Sequence, residues 1–134
     1  MKKKFKFLEH TADIKFQAAG ETLEEAFENS AFAMFNVMYD GKVKGAELVK
    51  INAVGKDFES LLYNFLEELL FLFESRHFFP SKIKNLKIDK KNFKLRAELL
   101  GDSSYNYEIH LGVKAVTYND MFVRKEKNKY ICQV

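Results

Sequence analysis

The sequence is poor in the residues that cross-link, kink or loosen a chain. It has one cysteine, one proline, six glycines and no tryptophan in 134 residues. The lone Cys132 cannot form an internal disulfide, which is typical of proteins kept in a reducing compartment. No stretch has the composition of a linker, so we predict a single domain over residues 1–134.

Long hydrophobic runs are also absent. Apolar runs such as residues 69–73 are far shorter than the roughly 20 residues that cross a bilayer. The lysines at positions 2–4 are followed by Phe5-Lys6-Phe7 and not by the continuous apolar segment of a secretory signal. We therefore expect a cytoplasmic protein with no membrane partner.

Neither sign of charge dominates. The 22 lysines and arginines exceed the 19 acidic residues by a net charge of +3. This excess is weak evidence for contact with RNA or an acidic partner, because a dedicated nucleic-acid binder usually carries a denser basic patch. The sequence also lacks a glycine-rich phosphate loop, a Gly-x-Ser-x-Gly elbow, a His-Glu-x-x-His motif and paired cysteines. No familiar enzyme class is therefore indicated.

What the sequence does contain is a series of periodic segments. Alternating apolar and polar residues predict strands at residues 4–8, 14–19 and 47–54. Thr22 and Glu25 form a capping-box pattern that starts a helix, and Gly41 is its predicted C-cap.

A second helix is predicted over residues 57–75, with Asp57 as its N-cap. Apolar residues cover it almost all round, so it is either central to the fold, which we favour, or partly covered by a partner. From Pro80 onward only strands are predicted, at residues 83–88, 93–100, 105–118, 120–125 and 129–134. This order predicts an α+β fold, with two helices on one side of a mostly antiparallel sheet.

The most distinctive short segment is His10-Thr11-Ala12-Asp13, which connects the first two predicted strands. From the residues alone, the favoured role of Asp13 is to stabilise a turn through local backbone hydrogen bonds. His10, His77 and His110 are far apart in the sequence, and each is more typical of a surface or turn position than of a metal ligand.

The predicted last strand runs to Val134. If it is tied into a sheet, the terminal carboxylate is fixed in space. A fixed carboxylate near Asp13 would supply two oxygen ligands of the kind that Ca²⁺ or Mn²⁺ prefers. From the residues alone, the favoured state is a frayed end in solvent, which is common at chain termini.

Two further features carry positive charge. A basic hairpin predicts either a solvated sheet face, which is favoured, or an electrostatic contact with RNA or an acidic protein surface. Its cations are Lys82, Lys84, Lys87, Lys90, Lys91, Lys94 and Arg96. Lys114 interrupts the apolar segment Val113-Lys114-Ala115-Val116-Thr117-Tyr118, where it either pairs with a carboxylate or phosphate or faces solvent.

Several segments in this order resemble the archease family. They are His10-Thr11-Ala12-Asp13, the helix at residues 23–38, residues 61–70, and Val113-Lys114-Ala115-Val116-Thr117-Tyr118. The resemblance covers most of the chain and implies a compact fold related to strand-helix-strand-strand modules. It also implies an accessory role without catalysis of its own. Archeases activate the GTP-dependent tRNA-splicing RNA ligase of the RtcB family by promoting its guanylylation and turnover, and they can broaden its nucleotide use.

The resemblance also implies a divalent-cation site, most simply for Ca²⁺ or else Mn²⁺. The family forms it from the aspartate of the His-Thr-Ala-Asp motif, a penultimate acid and the terminal residue. These positions correspond to Asp13, Gln133 and Val134, so one negative charge is missing here. Lys114 and His10 would contact the ligase or its nucleotide, and contact with tRNA or GTP would be indirect.

Two more positions depart from the family pattern. Gly112 stands where an acid usually precedes Val-Lys-Ala, and Asn119 where a histidine often follows Thr-Tyr. We therefore expect a weakened metal site, since ligand charge helps to set affinity. The rival functions are a chaperone-like or RNA-binding module and, less favoured, a small metal-dependent hydrolase that uses Asp13.

Overall fold

The computed structural model describes residues 5–8, 14–109, 116–118 and 120–134, and all structural statements concern these residues. They form seven strands and two α-helices. The strands are β1 (Phe5–Leu8), β2 (Lys15–Gly20), β3 (Glu47–Val54), β4 (Phe78–Asp89), β5 (Lys94–Ser103), β6 (Phe122–Glu126) and β7 (Lys129–Gln133), and the helices are α1 (Leu23–Met38) and α2 (Phe58–Arg76).

The strands divide between two antiparallel sheets. One sheet has the order β1-β2-β7-β6 and the other β3-β5-β4. The predicted α+β class with two helices and antiparallel strands is confirmed, but the described strands lie in two sheets where the sequence suggested one. The reason is that β7 pairs with β2, more than 100 residues earlier, and alternation within a strand does not specify such a distant partner.

Both predicted helix starts are confirmed by their hydrogen bonds. The Thr22 hydroxyl accepts a bond of 3.0 Å from the Glu25 amide. At α2, the Asp57 carboxylate accepts from the Ser60 amide at 2.7 Å, and the Ser60 hydroxyl accepts from the Asp57 amide at 3.1 Å. These bonds satisfy amides that the first turn of a helix leaves without partners.

The end of α1 is not where the sequence placed it. The helix stops at Met38 and Tyr39 is its C-cap, so the prediction of Gly41 is wrong. Tyr39 takes an extended conformation, with its ring against Phe79 at 6.1 Å and Tyr107 at 5.2 Å between centroids. Aromatic packing with residues far along the chain therefore ends the helix early.

The region after Pro80 also differs from the prediction of strands alone. Ser104–Asn106 forms a short 3-10 helix, and residues 107–109 and 116–118 are not in strands. The remainder of the predicted strand at 105–118 lies outside the described residues. The Ser103 hydroxyl accepts from the Tyr105 amide and favours the turn over a longer strand. Pro80 lies within β4, which is an edge strand and so tolerates a residue without an amide proton.

The core lies between the helices and the sheets. The Phe27 ring of α1 stacks on the Phe65 ring of α2 at 6.2 Å, and neither side chain is exposed. The apolar residues of α2 are mostly buried, which confirms the central position predicted for it, although Phe71 remains 59% exposed. Neither described helix is long and apolar enough to span a membrane.

Candidate functional site

The C-terminal residue is held firmly against β2. The Val134 amide donates to the Phe16 carbonyl at 3.0 Å, and the Phe16 amide donates to the Val134 carbonyl at 2.9 Å. β7 itself lies between β2 and β6. The strand predicted near the C-terminus is present, but the frayed end favoured from the residues alone is wrong, because β7 and Val134 are bonded to β2.

Gln133 is drawn into a polar network next to this end. Its side chain is only 9% exposed. Its Oε1 accepts from Gln17 Nε2 at 2.8 Å, and its Nε2 donates to the Asp120 carbonyl at 2.7 Å. Both ends of the amide are therefore used to join β2, β7 and the turn before β6, so Gln133 has a structural role at this predicted ligand position.

Asp120 is a carboxylate that was not predicted as a site residue, and it lies in the turn before β6 and not in the strand predicted at residues 120–125. Its backbone has a φ of 57°. Its Oδ2 forms an ion pair of 2.8 Å with Lys15 Nζ on β2. Because its carbonyl also accepts from Gln133, Asp120 places a negative charge beside the penultimate residue. The signal in the sequence was an acid directly after Asn119, but nothing local indicated its distant partners.

One face of α2 holds the chain that leads into β6. Glu59 Oε2 accepts from the Val123 amide at 3.0 Å, and Glu67 Oε1 accepts from the Val116 amide at 3.4 Å. Between them, the Tyr63 ring stacks on the Tyr118 ring at 4.2 Å with planes 8° apart. Glu59, Tyr63 and Glu67 are four residues apart and share a face of the helix. Burial, followed by the charge of Glu67, raises the pKa of Tyr63 and keeps it protonated.

The predicted site residues fall into two groups. Gln133 and Val134 are brought together beside β2, whereas Asp13, His10 and Lys114 lie outside the described residues, as do Gly112 and Asn119. Asp13 precedes Phe16 by three residues. The proximity of Asp13 to the anchored terminus therefore stays a prediction.

The two predicted ligands at this end offer oxygen atoms, namely the Gln133 side-chain oxygen and the Val134 terminus. Such donors suit a hard cation such as Ca²⁺ better than Zn²⁺. Among the described residues, however, no group of three or more histidines, cysteines or acids could hold a metal. The neighbouring Cys132 is fully buried, and this burial raises the pKa of its thiol to about 12. The divalent-cation site therefore stays a prediction, and it depends on Asp13, which lies outside the described residues.

Comparison with known proteins decides the family. The model of the Archease protein family (MTH1598/TM1083) matches residues 5–134. The chain belongs to the archease family. It is 40% identical to the protein archease of Methanosarcina acetivorans, over 98% of this chain and 94% of that protein. It is 41% identical to the archease of the fish Ictalurus punctatus, over 93% of this chain and 80% of that protein.

Two solved structures agree with the archease fold. Protein 1598 of Methanobacterium thermoautotrophicum has a TM-score of 0.83 and 38% identity, with 99% of this chain and 97% of that one covered. An archease of Thermotoga maritima, described as a possible chaperone, has a TM-score of 0.65 and 19% identity, with 94% of this chain and 91% of that one covered. The second likeness shows the fold alone.

Proposed function

We propose that this chain is a non-catalytic accessory protein that activates a GTP-dependent tRNA-splicing RNA ligase of the RtcB family. In this role it promotes guanylylation and turnover of the ligase and broadens its nucleotide use. The observation that supports the proposal is the anchored C-terminal strand. Val134 is bonded in both directions to Phe16, beside the segment that follows the His10-Thr11-Ala12-Asp13 motif.

The proposed working end combines a cation site with a partner contact. Asp13, Gln133 and Val134 would hold a divalent cation, Ca²⁺ or Mn²⁺, and Lys114 and His10 would contact the ligase or its nucleotide. A bound cation would supply positive charge that offsets phosphate charge during nucleotidyl transfer. The chain's own contribution is rigidity, because Gln17 orients the Gln133 oxygen and α2 holds the segment that contains Val116.

The deciding experiment is single-turnover guanylylation of the cognate ligase with GTP, with and without a stoichiometric amount of this protein. We expect a faster single turnover and continued turnover in multiple-turnover conditions. The control is the protein denatured and added at the same concentration. An unchanged rate with the folded protein would contradict the activator function.

Replacing Gln133 by glutamate restores the charge that the family carries at this position. Gln133→Glu keeps the acceptor for Gln17 but loses the donor to the Asp120 carbonyl, so without a cation the free energy of unfolding should fall by about 1–3 kcal/mol. Ca²⁺ should raise the Tm of this variant more than that of the unaltered protein, because a tighter-bound ligand stabilises the folded state more. Thermal melts with Ca²⁺ and with chelator measure both effects.

The matched control is Gln17→Glu, which adds the same charge to the same network at a position not predicted to bind the cation. Equal responses of the two variants to Ca²⁺ would show a general charge effect and would count against Gln133 as a ligand position.

A second candidate function, a binding module for RNA, is favoured by one observation. The outer face of the β3-β5-β4 sheet carries exposed cations on all three strands.

A further inference from the structure

We propose that the outer face of the β3-β5-β4 sheet binds the phosphate backbone of structured RNA. This inference goes beyond the activation of a ligase and does not depend on it. The basic face is defined by six exposed cations, Lys50 on β3, Lys82, Lys84 and Lys87 on β4, and Lys94 and Arg96 on β5.

Register places these cations on one side of the sheet. Lys50 and Lys84 both lie opposite Glu98 of the central strand, one from each neighbouring strand. Lys87 lies opposite Arg96, also across a strand pair. Residues opposite each other in an antiparallel pair point to the same side of the sheet, so the cations share one surface.

A β-bulge in β4 places Lys84 and Lys87 on the same side of the sheet. Two residues that are an odd number apart normally point to opposite faces of a strand. Here Lys84 to Lys87 on β4 faces only Glu98 to Arg96 on β5, so β4 contains one extra residue. The extra residue is accommodated at Asn85, whose backbone is left-handed with a φ of 51°. Leu86 stays buried while both lysines face solvent.

The positive charge of the face is only partly compensated, because its six cations face two acids, Glu98 between Lys50 and Lys84 and Asp89 opposite Lys94. The acid at its centre, Glu98, accepts a bond of 2.6 Å from Asn85 Nδ2. In the part of the chain that the structure describes, no ion pair within 4.0 Å involves any of the six cations, and the one ion pair there joins Lys15 to Asp120. The direct pairing of Lys87 with Arg96 is unfavourable for the sheet, since like charges in opposite positions repel. A feature that costs stability without a structural benefit points to binding.

The face also has a groove of suitable lining. It encloses about 430 Å³ between Lys50, Asn52, Asn85, Lys87, Arg96 and Glu98. Three cations and the two side-chain amides can donate hydrogen bonds to phosphate oxygens.

RNA backbone fits this surface better than an acidic protein does. Two cations lie about 6.6 Å apart along β5 (Lys94 and Arg96), and Lys87 and Arg96 lie about 5 Å apart across a strand pair, so several phosphates of a repeating polyanion could be contacted at once. The described part of the face has no aromatic side chain on which single-stranded bases could stack, so we expect it to bind phosphates and not to read sequence. Protein interfaces usually have an apolar centre. Here the exposed apolar residues Leu48 and Val54 lie towards the two ends of β3.

The test is fluorescence anisotropy with a labelled tRNA transcript over a range of salt concentrations. The variant Lys87→Glu/Arg96→Glu keeps a like-charged pair, so its Tm should match the unaltered protein. We expect its Kd for the transcript to rise about tenfold and the salt slope to fall by about 2. The matched control, Lys6→Glu/Lys127→Glu, makes the same change in net charge at two exposed lysines associated with the other sheet.

A single variant separates stability from binding. Lys87→Glu converts the repelling pair into an attractive one, so its Tm should rise by about 1–4 °C while its affinity for the transcript falls. The proposal is overturned if the control variant loses as much affinity as the face variant, if the unaltered protein does not bind the transcript, or if it binds poly-glutamate more tightly than RNA. None of these outcomes bears on guanylylation of the ligase, so the two proposals fail separately.

Discussion

Asp13→Ala is expected to abolish stimulation of the ligase, so that single-turnover guanylylation with the variant is no faster than with ligase alone. The physical reason is that Asp13 is the side-chain carboxylate predicted for the cation site, since Gly112 and Gln133 stand at the two further positions where the family resemblance implies acids. Gln133 cannot replace the negative charge that Asp13→Ala removes, because its side chain is a neutral amide. That amide is already bonded to Gln17 and to the Asp120 carbonyl. The measurement is the rate of GMP transfer at a stoichiometric ratio of the two proteins.

The matched control for this experiment is Asp40→Ala, which removes an exposed carboxylate just after α1, bonded only to the Asn36 side chain among the described residues. It should stimulate as well as the unaltered protein. Circular dichroism must show the same fold for both variants. Full stimulation by a folded Asp13→Ala protein would mean that the cation site is not the working part.

Phe65→Ala is expected to lower the free energy of unfolding by about 3–5 kcal/mol, the usual cost of removing a buried phenylalanine ring. The side chain is completely buried and stacks on Phe27 of the other helix, so its loss leaves a cavity where the two helices meet. Small domains are stable by only about 5–15 kcal/mol, so this is a large fraction of the total. In thermal denaturation the Tm should fall by about 10–20 °C.

Phe71→Ala provides the control, because it makes the same change on the same helix at a side chain that is 59% exposed. Its free energy of unfolding should change by less than about 1 kcal/mol. If the two variants were destabilised equally, Phe71 would have to be covered, for example by a second copy of the chain, and the size of the protein in solution would reveal it.

Local patterns predicted much of the secondary structure. The strand at residues 47–54 agrees at both ends with β3, and the caps at Thr22 and Asp57 are present. These features depend on alternation within one strand or on hydrogen bonds that span three residues. All the residues that determine these features lie within a short stretch of sequence, so the features could be predicted from that stretch alone.

The errors share a different cause. The end of α1 depends on the packing of Tyr39 against Phe79 and Tyr107, which are far along the chain. The bulge at Asn85 depends on the register between β4 and β5. Neither partner is visible from the residues around Tyr39 or Asn85, so periodicity alone favoured a longer helix and a regular strand.

The same distinction between local sequence and distant contacts applies to the candidate site. The sequence by itself determined the residue types, the helix caps, the amphipathic strands and, through its motifs, the membership of the archease family. Only the tertiary structure decided that β7 enters between β2 and β6, which anchors Val134 at Phe16 and brings Gln133 to Gln17 and Asp120 to Lys15. The physical reason is that the pattern within each strand fixes only which side faces the core. Pairing between strands more than 100 residues apart depends on how the whole chain closes around that core.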